Sequence, residues 1–190
     1  MATDTPPEAL CHLYCFAHQS ESHNGLFRKL HDLRDKISYI YILDSLPGLS
    51  GYLGPAVYRK ELYAVGFCPE QIRLVPFHHT DMINTYTEAQ AVRSCMKSHG
   101  VRMFSVVSPP FHLPRAYLSM ISEDPEEYKI YPIPGYAGDW NETITHSQGQ
   151  TKGTRVYMIG HEMDRIARYQ ALLCSPLCSI REALKTLNGL

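Results

Sequence analysis

Short β-rich runs alternating with amphipathic helical patterns predict an α/β fold, a parallel sheet covered by helices on both faces in three layers. Three observations carry this. Five β-rich runs recur from residue 13 onward, most of them separated by a helical pattern. The runs at 39–43 and 103–107 are continuously apolar, as strands buried on both faces require. The segments between them carry helix starts and glycine stops. A chain of 190 residues suffices for one domain with its own core, and the sequence shows neither an internal repeat nor a second domain.

Residues 1–10 contain Pro6-Pro7 and read as a flexible leader. Strands are expected at 13–18, 39–44, 72–77, 103–108 and 129–133, about five in all. A first helix spans roughly 25–35. Pro55 suits the first position of the next helix, whose stripe is Tyr58, Leu62 and Val65 and whose stop is Gly66. Thr85-Tyr86-Thr87-Glu88 reads as a capping box, with Ala89, Val92 and Met96 on one face and Gly100 as the stop. Pro114 opens a helix carrying Ala116, Tyr117 and Met120. Residues 135–153 are too long for an ordinary connection and, with Trp140, Asp139, His146 and Gln148, read as an ordered functional loop. A long helix then places Val156, Ile159, Met163 and Ile166 on one face, and Ser179 caps a terminal helix through Glu182.

A formal net charge of −1 supplies no field for nucleic acid or an anionic membrane. No apolar run is long enough to span a bilayer, and MATDTPPEAL lacks the basic and apolar regions of a signal peptide. The expectation is a cytoplasmic protein, with oligomer formation left open. Six cysteines, two pairs of them at CxxxC spacing, read either as small buried hydrophobes or as a zinc or redox pair, Cys174 and Cys178 being the better placed.

Rossmann-like sheets bind ligands beyond the carboxyl ends of their strands, where the strand order reverses. The residues following each expected strand are therefore the candidates. They are His18 and Ser20 after the first, Asp44 after the second, His78, His79 and Asp81 after the third, and Ser108, His112 and Arg115 after the fourth. Trp140 and His146 follow in the long loop. His112 and Arg115 lie at a helix start, where partial positive charge and a guanidinium fork suit an anion. Thr85 and Glu88 lie at another; each is either a ligand contact or only part of a helix cap. His78, His79 and Asp81 also raise a metal-dependent hydrolase as a minor alternative, but no HExxH pattern supports it, and no metal ligand is assigned. GxGxxG, GxxxxGK[ST] and GxSxG are absent as well, which removes the usual dinucleotide, P-loop and serine-hydrolase readings.

The run NTYTEAQAVRSCMKSHGVRMFSVVSPPFHLPRAYLSM resembles the core of the YdcF-like family, with Thr85, Ser108, His112 and Arg115-Ala116 on its motif positions. GTRVYMIGHEMDRIARYQ, with Arg155, Glu162 and Arg165, is similar to the terminal helix of its short members. The resemblance implies a Rossmann-like sheet of order 3-2-1-4-5 and, from some members, S-adenosylmethionine as a cofactor. Two departures stand out. Glu88 replaces an Asn common in the family, and Asp44-Ser45-Leu46-Pro47-Gly48 replaces a Ser-Gly-Gly turn.

The expected function is binding of a small anionic molecule, such as a nucleotide, S-adenosylmethionine or a phosphorylated metabolite, by an enzyme or a plain binder. Arg115 and the helix starts would hold the anion and Ser108 would hydrogen-bond it. His112 would be the acid or base, with His146 and Trp140 closing over the site. The alternative from a different class is a non-catalytic regulatory or interaction protein on the same fold.

Overall fold

A computed structural model of the chain describes residues 6–16, 23–46, 52–77, 84–122, 127–146, 151–171 and 177–189. Its strands β1 (His12–Cys15), β2 (Tyr39–Asp44), β3 (Ile72–Pro76), β4 (Met103–Ser108) and β5 (Lys129–Pro134) form one parallel sheet of order β3-β2-β1-β4-β5. The apolar runs fix the centre of this sheet. In β2 and β4 four and five consecutive residues are buried, because helices cover both faces.

The connecting helices are α2 (His23–Leu33), α3 (Pro55–Ala64), α4 (Thr85–Ser98) and α5 (Leu113–Ile121). The chain winds outward from β1 to β3, then returns past β1 to β4 and β5. Right-handed crossovers place α2 and α3 on one face and α4 and α5 on the other. Phe27 of α2 meets Tyr58 of α3 edge to face at 5.7 Å, and Tyr14, Tyr41, Phe16 and Phe104 fill the core. The order reverses at β1, whose carboxyl end lies between those of β2 and β4.

Residues 7–10 are not a flexible leader. They form the turn α1 (Pro7–Leu10), with Ala9 and Leu10 buried, and the Ala9 carbonyl accepts from the Ser105 hydroxyl at 2.9 Å. The apolar Ala-Leu pair, overlooked beside the prolines, covers the amino-terminal side of β4.

The long connection after β5 is partly regular. Strands β6 (Thr143–His146) and β7 (Thr151–Thr154) make an antiparallel ribbon that leads into α6 (Arg155–Ala171). Phe111, Ile144 and Met158 form a small separate apolar cluster tying ribbon and helix to the start of α5. The orientation of α6 differs from the expected one. Its buried residues are Arg155, Met158, Glu162 and Ile166, while Val156, Ile159 and Met163 face outward. Two buried charged residues, Arg155 paired with the exposed Glu142 and Glu162 with the buried His112 and Arg115, set the inner face, so a hydrophobic stripe is the wrong guide to its rotation. Ser179 does cap α7 (Ile180–Asn188), reciprocally with Glu182. Among the described residues, no helix is long and apolar enough to cross a membrane.

Candidate functional site

Strand β4 ends in Ser108, fully buried, and Pro109-Pro110 turn the chain into α5. His112 occupies the N-cap position, yet its side chain makes no cap hydrogen bond. Its ring turns inward instead, 3% exposed, with Phe16 from the end of β1 edge-on at 6.1 Å. The ring's Nδ1 lies 2.9 Å from Glu162 Oε2 on α6.

Arg115, one turn further on, grips the same carboxylate with both arms. Its Nε donates to Oε2 at 2.7 Å and its Nη2 to Oε1 at 3.0 Å, while its Nη1 donates to the Thr85 hydroxyl on α4. The Tyr169 ring lies beneath the guanidinium at 5.8 Å. Three helices that are far apart in sequence thus meet in one buried polar cluster at the carboxyl ends of the strands.

The charge of the carboxylate favours one imidazole tautomer. A carboxylate held by a guanidinium only accepts hydrogen bonds. In that tautomer the Nδ1 facing it carries the proton, and Nε2 is the basic nitrogen. Arg115 Nη2 also comes within 3.1 Å of Nδ1 and donates to it in the other tautomer. A base oriented by a carboxylate through its second nitrogen is the general arrangement for proton transfer.

The structure corrects the reading of the α4 start. Asn84, not Thr85, is the N-cap, accepting from the Tyr86 and Thr87 amides at 2.9 Å, and Thr87 reciprocates. Thr85 and Glu88 have no part in the box. Thr85 bonds Arg115, and Glu88, 3% exposed, accepts from the Tyr14 hydroxyl on β1 at 2.6 Å. Burial, and then the charge of Glu88, push the Tyr14 hydroxyl well above its ordinary range. The same two causes, in the same order, raise Cys15 and Tyr52. A carboxylate among three such groups is a second polar centre beside the first.

Other expected residues are elsewhere. Asp44 is exposed at the end of β2. Trp140 is 36% exposed, in a turn whose carbonyl accepts from Val156 at the start of α6. His18, Ser20, His78, His79 and Asp81 lie outside the described residues, as does the His146 side chain, whose backbone is in β6. Among the described residues, no three His, Cys, Asp or Glu side chains come together to hold a metal ion.

Glu162 was missed as a site residue when each element was read alone. Its signal was an acid on the same helix face as Met158 and Ile166. Tyr14, whose hydroxyl binds Glu88, was hidden inside an apolar strand. Arg165 belongs to this neighbourhood too, its pKa lowered by burial and then by the Arg115 charge. No protein-family model matches the chain, and no curated protein matches its sequence.

Proposed function

We propose that the protein binds a small molecule carrying an anionic group where β1 and β4 end, and that His112 is the proton-transfer group there. The observation that carries this reading is the 2.9 Å contact of the buried His112 Nδ1 with Glu162, beside the Arg115 clamp. A buried charged cluster is a poor source of stability, since apolar residues of equal volume serve as well or better. Its assembly from three helices at the strand-order reversal is an investment in geometry. The site belongs to a cytoplasmic protein of YdcF-like type, and nucleotides, S-adenosylmethionine and phosphorylated metabolites are the ligand classes to try.

Thermal shift with each class tests it. A ligand at one hundred times its Kd stabilises by about 2.7 kcal/mol, which for a chain of this size raises Tm by roughly 5–10 °C. His112→Gln keeps the fold and loses most of that rise. Equal stabilisation of both proteins would remove His112 from the site.

A second reading, a non-catalytic interaction protein, draws support from Val156, Ile159 and Met163, which α6 turns outward. Under that reading His112→Gln leaves the cellular phenotype intact, whereas Met163→Glu abolishes it.

A further inference from the structure

A cleft of about 390 Å³ opens at the carboxyl ends of β2 and β3, at the same end of the sheet as the cluster described above. Its size falls within the roughly 300–1,000 Å³ of small-molecule sites. Leu46, Leu53, Pro55 and Phe77 supply apolar walls, and among the described residues lining it Asp44 is the one that carries a charge. We propose that this cleft is the sugar subsite of the ligand, where the Asp44 carboxylate accepts hydrogen bonds from the two vicinal hydroxyls of a ribonucleoside.

The chemistry narrows the occupant. An exposed carboxylate repels phosphate, so the anionic end of a ligand belongs elsewhere. Its two oxygens accept without donating, which matches a pair of neighbouring hydroxyls. Doubly wound sheets use an acidic residue for the ribose in this manner. The apolar walls, with the exposed Leu46 at the rim, offer cover for a planar base.

Position supports the same choice. Strands β2 and β4 flank β1, two ladder spacings apart, which is about 10 Å. One nucleotide-sized molecule spans the distance from Asp44 to the end of β4. Tyr52 is buried against the end of β2. Its hydroxyl donates to the Leu43 carbonyl at 2.7 Å, and after burial its raised pKa reflects the charge of Glu88 and, more weakly, that of Asp44. The placement of the anionic end at His112 rests on the function proposed above; the sugar subsite rests on the cleft.

Calorimetric titration of the whole chain with the four ribonucleoside 5′-monophosphates and their 2′,3′-dideoxy counterparts separates the two. The subsite predicts that at least one ribonucleotide binds and that removing its hydroxyls weakens it roughly 10- to 100-fold, the loss of a charge-assisted hydrogen-bond pair. Asp44→Asn, at an exposed position that leaves Tm unchanged, reduces the ribonucleotide to the dideoxy affinity and leaves the dideoxy compound unaffected. No binding by any ribonucleotide overturns the subsite. So does equal affinity for ribo and dideoxy forms with loss only in His112→Gln, which leaves the His112 site standing. Loss in Asp44→Asn but not in His112→Gln overturns the His112 assignment and leaves the subsite.

Discussion

Glu162 accepts from Arg115 and faces His112 Nδ1, and removing its charge exposes what each of them does. Glu162→Gln leaves Arg115 buried with an incomplete partner and offers Nδ1 of His112 an amide that both donates and accepts. Breaking one side of a buried ion pair costs about 3–5 kcal/mol, so urea denaturation should show a fall of that size. The double variant Glu162→Gln with Arg115→Met, which removes both charges, recovers part of it. A loss no greater than that of an exposed pair would mean that the cluster is wet. The residues of this site were unequally legible. His112, Arg115 and Thr85 announce themselves because helix starts and proline turns are local signals. Glu162 follows Arg115 by 47 positions, and only tertiary packing joins them. Asn84 was overlooked as a cap because the Thr-x-x-Glu pattern one residue later is the stronger sequence signature.

At the scale of elements, α6 separates hydrophobicity from burial. Met158 lies fully buried against Phe111 and Ile144, while Ile159, its neighbour, is exposed. Met158→Ala is expected to destabilise by about 2–5 kcal/mol, and Ile159→Ala by no more than about 0.5 kcal/mol. The reverse order in chemical denaturation would restore the stripe of Val156, Ile159 and Met163 as the inner face. Backbone contact also decides where α2 can lie. A Cβ on Gly25 would come within 2.2 Å of the Tyr136 carbonyl oxygen, whose own amide donates to the Gly25 carbonyl at 3.1 Å. The chain after β5 can therefore cross the α2 start only at a glycine. Strands β2 and β4 were readable from sequence to the residue because short runs that are apolar but for Ser105, and rich in β-branched or aromatic side chains, favour buried strands. The ribbon β6–β7 was not, since among the described side chains of its short polar strands Ile144 alone is buried.

For the molecule as a whole, the two ends of the sheet place a histidine in different settings. At the amino-terminal end His12 Nδ1 meets the Tyr41 hydroxyl at 3.0 Å, and Tyr41 also lies 5.9 Å from the His99 ring. Burial, and then the His99 charge, lower the His12 pKa below its ordinary 6.5. The unfolded chain takes up this proton at a higher pH than the folded one. Stability from His12 is therefore full above about 6.5 and falls as the pH drops toward the lower folded value. His12→Gln should lessen the decline in Tm between pH 7.5 and 5.5, and an unchanged decline would show that other groups carry it. At the carboxyl-terminal end the corresponding histidine is paired with a buried carboxylate, an arrangement suited to moving a proton. Long-range ¹⁵N–¹H correlation of the His112 imidazole tests that difference most directly. The account predicts a protonated Nδ1 and an unprotonated Nε2 in the free protein, with the Nε2 resonance moving when a bound nucleotide or phosphorylated metabolite is titrated in. A protonated Nε2, or a resonance that stays still while ligand binds, would contradict it.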